Sequence, residues 1–436
     1  MALTLFQSTT FKVLGVAFLA LLMLIPLAQV QGLIFERNAL REHAINSISA
    51  SWGGQQQLGG PVLAVPKRTR VQTSNGWDTV SSTEIVLADR LEMRGTLEPQ
   101  LRSYGIYDAP VYTAALKLSG AWRVADIKAL DASDTTYLWD RAEVRLPVSD
   151  VRGIRRISSV RIGGEDLAFG PSGNGVGDVS AIAVAFDPTH ASGDAIPFEF
   201  DLTLAGTQSL QLLPLARRSE ASISAAWGDP SFFGAFLPAE HRIDAKSFSA
   251  QWQVLDLNRR FGQHWQQDAT HNLDLSSAGF GVALYQPVSV YQQNERAGKY
   301  GVLFIALTFV AFFLFEVLKK LRVHPVQYLL IGIALSTFYV VLLALSEQIG
   351  FALAYLAAAV AVVAIVGGYA AAVLRTRRAG LVLGGAMALV YALLYGLIVS
   401  EQYSLLMGAL ALLALVAALM YLTRRVDWYA AVAPSH

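Results

Sequence analysis

A chain of 436 residues is too long for one ordinary domain, and a chain without cysteine excludes disulfides, thiolate zinc sites, iron–sulfur clusters and thiol catalysis. A net charge of +1 gives no general basic field for nucleic acid. Hydrophobic residues make up 54% and charged residues 15%, but the two are segregated: polar residues crowd 36–298, whereas 299–426 is nearly all apolar, which marks a change of solvent from water to lipid.

The first ten residues are short and precede an apolar run over 11–34. A bilayer core of about 30 Å needs about 20 apolar residues as helix, so this run is long enough to cross. It is read as a retained anchor, not a cleaved signal peptide. The charged region before it holds only Lys12, and no small-x-small site follows Pro26. Residues 35–51 continue as helix, with Leu40, Ala44 and Ile48 at spacing four and Arg37 and Arg41 on another face. Gly53-Gly54 ends it.

Beyond that point the period becomes two. Tyr112, Ala114, Leu116 and Leu118 alternate with polar or small residues, as do Phe198, Phe200, Leu202 and Leu204, and Phe248, Ala250, Trp252 and Val254. Such alternation predicts half-buried antiparallel strands. Residues 35–298 are therefore expected to form a large β-rich domain, an antiparallel sandwich, with a loop and a boundary between two halves near 171–178. The segment 227–234, Trp-Gly-Asp-Pro-Ser-Phe-Phe-Gly, is expected between two strands. Two readings stand for it: a packed turn at the core edge, or a binding surface in which Trp227 and Phe232 meet sugar, lipid or a partner.

Five more apolar runs follow, at 300–318, 326–345, 350–374, 380–399 and 403–422, so that 299–425 reads as a five-helix bundle and the chain as six transmembrane helices. Lys319, Lys320 and Arg322, then Arg375, Arg377 and Arg378, then Arg424 and Arg425 fall at alternate ends. The bias of basic residues towards the cytoplasm then places both termini, 1–10 and 426–436, inside and 35–298 in the periplasm. Arg37, Arg41, Arg296 and Lys299 run against that bias. Arg296 and Lys299 are thereby candidate functional residues.

Inside the bundle, Ser346-Glu347-Gln348 is echoed by Ser400-Glu401-Gln402, each expected in a short outer turn. Glu347 and Glu401 either end and cap helices or take part in function. Glu316 is the one acid inside a span, where a charge is costly. It either pairs with Lys320 at i,i+4 or marks a site. Gly332, Ser336, Gly367, Gly368, Gly384 and Gly385 would let helices approach closely. His324-Pro325 reads as turn punctuation. No zincin, P-loop, nucleophile elbow or dinucleotide motif occurs, so no catalytic residue, metal or cofactor is assigned.

The entry segment Ile34-Phe35-Glu36-Arg37 with Trp52-Gly53, the central Trp227, Pro230-Ser231-Phe232 and Leu237-Pro238, and the run Tyr291, Arg296-Ala297, Lys299-Tyr300-Gly301 to Phe315-Glu316 come in one order along the chain. His324-Pro325, Phe338-Tyr339, Ser346-Glu347, Ala354-Tyr355 and the ending Arg424-Arg425 with Asp427-Trp428-Tyr429 continue it. In this order the motifs resemble the bacterial inner membrane protein CreD family over almost the whole chain. Ala226 stands where that family's pattern is more polar. The resemblance implies a Gram-negative inner membrane protein tied to cell envelope integrity, downstream of the sensor-kinase system that shares the family's name and linked to the β-lactam response. It brings no catalytic residues. The expectation is a non-enzymatic protein whose outer domain binds or senses an envelope component or another membrane protein, with the lipid bilayer as its other partner and no nucleic acid. The alternative is a transporter or lipid-handling protein built on the repeated hairpins. A third reading, an enzyme at the outer interface, would need convergent acids that the sequence does not display.

Overall fold

The computed structural model describes residues 9–73, 76–130, 134–191, 193–268, 273–284, 290–318, 323–373, 376–400 and 404–424. The chain divides into two compact units, Glu42–Pro287 and Met1–Arg41 with Val288–His436.

The first of these units is built from three sheets among the described residues. The largest has the order β16 (Glu240–Asp244), β17 (Ser247–Leu255), β14 (Ala216–Ala225), β4 (Ala88–Tyr104), β5 (Tyr107–Arg123), β12 (Ala195–Thr207), β8 (Ile154–Ile162), β9 (Glu165–Asp166). A second has the order β10 (Gly170–Pro171), β11 (Ala181–Ala185), β7 (Glu143–Pro147), β2 (Val62–Thr73), β3 (Gly76–Val86), β18 (His264–Gln267), and β6 (Thr135–Tyr137) also pairs with β2. The third has the order β1 (Gln56–Gly59), β13 (Ser209–Leu213), β19 (Phe280–Leu284), β15 (Pro230–Gly234). One short helix, α3 (Val124–Lys128), follows β5.

The period-two runs of β5, β12 and β17 all lie in the largest sheet, and their apolar members face one core. That core also takes Leu63, Val86 and Val144 of the second sheet and Leu210, Phe280 and Val282 of the third. The second sheet is buried on both faces around 62–65 and 85–86. Leu63 and Val65 enter the main core, while Val62 and Ala64 enter another with Ile85, Leu213 and Leu275. Covering both faces removes the need for alternation, which is why 61–66 reads as an unbroken apolar run.

Three expectations are corrected. The domain is β-rich with largely antiparallel sheets, as expected, but it is not antiparallel throughout, because β1 pairs with β13 and β14 pairs with β4 in parallel. Alternation reports which face is buried and is silent on the direction of the neighbouring strand. The segment 171–178 is no boundary, since β7 pairs with β11 and β8 with β12 across it. Residues 230–234 are themselves a strand, β15, paired antiparallel to β19.

The other unit is helical. Its helices are α1 (Thr9–Leu22), the start of α2 (Leu24–Trp52), α4 (Val290–Leu318), α5 (Pro325–Ile349), α6 (Phe351–Val373), α7 (Arg377–Val399) and α8 (Ser404–Thr423). Pro26 explains the irregularity at Met23 between α1 and α2, because its ring crowds the carbonyl four residues earlier, that of Leu22. Further along, α2 stops at Gly53, whose φ of 128° only glycine adopts readily. Among the described residues four stretches are long and apolar enough to cross a bilayer: Leu14–Trp52, Pro325–Ile349, Phe351–Val373 and Gly380–Val399. The other two expected spans fall in α4 and, from residue 404, α8.

Close approach of α6 and α7 comes from Gly367 and Gly384. A methyl group on Gly367 would lie 3.6 Å from the Gly384 Cα. By contrast, Gly368 and Gly385 have no neighbour within 4 Å of such a group and face away from the contact. Small residues that let backbones meet are the usual basis of helix packing where lipid removes the hydrophobic drive. At the start of α5, His324 is the N-cap: its ring accepts from the Val326 amide and the Gln327 side chain accepts from the His324 amide, with Pro325 in the first turn.

Candidate functional site

The helical unit gathers several of the candidate residues at one end of α4. Glu347 lies in the last turn of α5, not in the connecting turn, because the helix break falls at Gly350 with φ 77°. Its Oε1 accepts from the Tyr291 hydroxyl of α4 at 2.9 Å and lies 3.9 Å from Nε of Arg37 on α2. Beside it, buried Asn294 donates to the Ser346 Oγ at 2.8 Å and to the Val290 carbonyl at 2.7 Å. Three helices are thus tied by one carboxylate and one amide. Such a network holds helix ends in fixed register because every buried polar group in it finds a partner.

Arg296, two residues beyond Asn294, donates to the Ile398 carbonyl at 3.4 Å, where a cation meets the negative end of α7. Lys299 pairs with Glu295 one turn earlier at 2.8 Å. Both line a cleft of about 370 Å³ with Gln31, Ile34, Phe35, Asn38, Tyr291 and Gln292. An exposed ring, amide groups and a charge of each sign meet there. That combination suits the boundary between hydrocarbon and water.

The Ser346 and Ser400 echoes are not equivalent in place. Ser346 is buried inside α5, whereas Ser400 is the residue after the last turn of α7. Glu401 lies outside the described residues, as does Lys320. Glu316 is buried and accepts from the Val323 amide at 3.1 Å and the Tyr328 hydroxyl at 2.8 Å. Two directed donors satisfy its carboxylate where α4 gives way to α5.

A polar cluster that the sequence reading missed lies among the aromatic side chains of the bundle. Phe338 packs edge-on to Tyr339 and Tyr355 and tilts against Tyr391, with centroids 4.7–5.4 Å apart. The Tyr355 hydroxyl donates to the Tyr391 carbonyl at 2.7 Å. The hydroxyls of Tyr339 and Tyr391 are buried without a hydrogen-bond partner among the described residues. Tyrosine carries no charge, so nothing along the chain marks this cluster beyond the Phe338-Tyr339 and Tyr355 positions themselves.

In the β unit, Trp227 and Phe232 are half-buried. The Trp227 Nε1 donates to the Asp229 carbonyl at 3.1 Å. Phe232 packs edge-on to Phe248 and Trp252 at 5.8–5.9 Å and tilts against His241 at 5.5 Å. The ring of Phe232 therefore serves the core edge more than an open surface.

A broader feature crosses the outer face of the largest sheet. The strand registers align Ser249, Ser224, Thr96, Ala115 and Thr203, one small residue per strand. The adjoining row holds Gln251, Ser222, Arg94, Lys117 and Asp201. Short side chains beside long ones make a trough of about 520 Å³ across five strands. Its two cations are paired: Lys117 pairs with Glu199 at 2.5 Å, and that hydrogen bond and charge hold the Glu199 carboxyl below its ordinary range and the Lys117 amine above its own. Arg94 pairs with Glu92 at 2.6 Å. What remains is a floor of hydroxyl groups with the Asp201 carboxylate, able to exchange hydrogen bonds with an extended polar chain. Alternation along the chain marks Ala115, Lys117, Asp201 and Thr203 as outward-facing, but the rows they form across the sheet exist only once the register is fixed.

Comparison with known proteins places the whole chain. The profile described as inner membrane protein CreD matches residues 8–429. The inner membrane protein CreD of Escherichia coli (strain K12) is 32% identical over 414 residues, covering 94% of this chain and 91% of that protein. A match so nearly complete includes both the β unit and the helical unit, and the chain belongs to the CreD family of inner membrane proteins.

Proposed function

We propose that this membrane protein is a non-enzymatic component of the cell envelope that crosses the inner membrane six times, with 35–298 in the periplasm and both termini in the cytoplasm. Its β unit binds an envelope component or a protein partner along the hydroxyl-floored trough of the largest sheet. The trough carries this reading. It is long, shallow and open, so a small molecule would remain half in water, whereas an extended polymer would span several strands. The helical unit anchors this surface to lipid, and the Glu347–Tyr291, Glu347–Arg37 and Asn294–Ser346 contacts hold the middle of α2 and the adjoining ends of α4 and α5 in register.

The test is a photocrosslinking amino acid placed at Thr203 or Ser224 of the full chain in native membranes. A defined adduct at both positions, absent from a probe at Leu257 (89% exposed) and lost when Ala115→Trp fills the floor, is the expected result. Equal labelling at all three positions would remove the trough from function. Turnover of a peptidoglycan or lipid precursor by the purified protein would refute the non-enzymatic reading.

A lipid-handling role is the second reading, favoured by the cleft that Lys299 and Glu295 share with Gln31 and Asn38. It predicts that Lys299→Gln lowers phospholipid co-purification at least severalfold.

A further inference from the structure

The β4–β5 hairpin carries an apolar tip that the fold does not use. Leu101, Tyr104 and Ile106 are 55%, 56% and 54% exposed, and the turn passes through Gly105 at φ 64°. Leu101 pairs with Pro110 and Tyr104 with Tyr107, so Leu101 and Tyr104 leave opposite faces of the ribbon and Ile106 leaves its end. A protein that adds to a sheet face would meet one side of such a ribbon. An apolar medium meets all sides. The acid at the tip, Asp108, is engaged by the Ser103 hydroxyl at 2.6 Å. Arg102 lies over the ring of Trp52 at 4.6 Å.

The stem of this hairpin is fixed to the helical stretch that leads the chain out of its first apolar run. Ile45 and Ile48 share a buried cluster with Ala109 and Val111, and the Trp52 indole donates to the Tyr112 carbonyl at 3.2 Å. The β unit starts at Glu42, eight residues after the apolar run ends at 34, which as helix is about 12 Å. Its last residue, Pro287, precedes the next apolar run at 300 by 13 residues. The chain thus tethers the unit to lipid at both ends. From Ala109 the ribbon extends four residues to its turn, about 13 Å. Ala109 packs on Ile45, and from Ile45 back to residue 34 is about 16 Å of helix, a few ångströms more than the reach of the tip.

We propose that the β4–β5 tip inserts Leu101, Tyr104 and Ile106 into the headgroup layer of the bilayer that holds the helices. Tyrosine with aliphatic neighbours and an arginine is the composition of a membrane-interface anchor. This contact would fix the β unit at one height over the membrane and leave the trough of its largest sheet outside the lipid.

The chain has no cysteine, so single-cysteine variants report one site each. Spin labels at Tyr104→Cys and Ile106→Cys in the full chain, reconstituted in nanodiscs of phosphatidylethanolamine and phosphatidylglycerol, would be read by collision with oxygen and with a water-soluble nickel chelate. Leu257→Cys, in the β unit, is the reference for water, and Leu356→Cys on α6, 61% exposed, is the reference for lipid. All four side chains are exposed, so labelling leaves the fold intact. The expected oxygen-to-nickel ratio at the tip is severalfold above that of Leu257→Cys and approaches that of Leu356→Cys. A tip ratio equal to that of Leu257→Cys overturns the proposal. With no other protein in the nanodisc, a water-exposed tip would make the patch a docking surface for a protein instead.

Discussion

At the scale of single residues, the costliest placement in the β unit is the pair Lys67 and Glu84. Their side chains are 10% and 6% exposed, sit on adjacent strands β2 and β3, and meet at 2.6 Å. The exposed His264 of β18 covers the second oxygen of Glu84 at 2.8 Å. A buried pair offsets its desolvation only while both partners are present. Lys67→Met is therefore expected to destabilise the protein by about 3 kcal/mol, and Lys67→Met with Glu84→Met to recover most of that loss. Thermal unfolding of the full chain in detergent, followed by near-UV circular dichroism, checks both. Asp150 gives the pH-dependent counterpart. The Arg152 guanidinium is the main cause holding its carboxyl below the ordinary range; burial opposes this, and the amides of Gly54 and Arg152 add to the lowering. The folded-state pKa is the lower one, so the stabilisation is complete above the ordinary carboxylate value of about 3.9 and fades as pH falls through the folded value. Asp150→Asn should flatten the loss of stability below about pH 4, in an unfolding series against pH. Sequence placed Glu347 at an interface and Glu316 within a span. It could not name Arg37, Tyr291 or the Val323 amide as their partners, because hydrogen bonds between helices carry no spacing rule.

At the scale of elements, periodicity did most where one face alone is buried. The alternating runs at 112–118, 198–204 and 248–254 and the helix ending at Gly53 were legible for that reason. Where both faces are covered, as in β2, the period vanished, and where a strand is short and rich in Gly and Pro, as in β15, it looked like a turn. In the bundle, the small residues showed that helices approach, and the structure shows which ones meet. Gly384→Leu should force α6 and α7 apart, because the added side chain must enter the space of the Gly367 Cα and the Val363 methyl group, each 3.8 Å from a methyl at that position. Gly385→Leu should be tolerated, having no neighbour there. A loss of at least 2 kcal/mol for the first and under ~0.5 kcal/mol for the second, by steric trapping or thermal unfolding in detergent, is the expected contrast.

At the scale of the whole molecule, the number of crossings decides which chemistry each surface meets. Four stretches qualify as spans among the described residues, and α4 and α8 supply the remaining two of the proposed six. If α4 crosses, the β unit and the α5–α6 turn at Gly350 lie on one side of the membrane, with the α6–α7 connection on the other. If α4 does not cross, Gly350 moves to the side opposite the β unit. The exposed positions Asp140, Gly350 and Arg378 sample the three regions. Single cysteines there, probed with a membrane-impermeant maleimide on spheroplasts before and after lysis, should give Asp140→Cys and Gly350→Cys reactive at once and Arg378→Cys reactive only after lysis. Because the φ of 77° at Gly350 strains any other residue, Ile349→Cys, also exposed, serves as a second probe of that turn. Opposite labelling of Asp140→Cys and both turn probes would remove α4 from the membrane and leave the Glu347 network on the far side from the β unit. Labelling of Arg378→Cys alone in intact spheroplasts would reverse the orientation and expose the trough to the cytoplasm, where no envelope polymer could reach it.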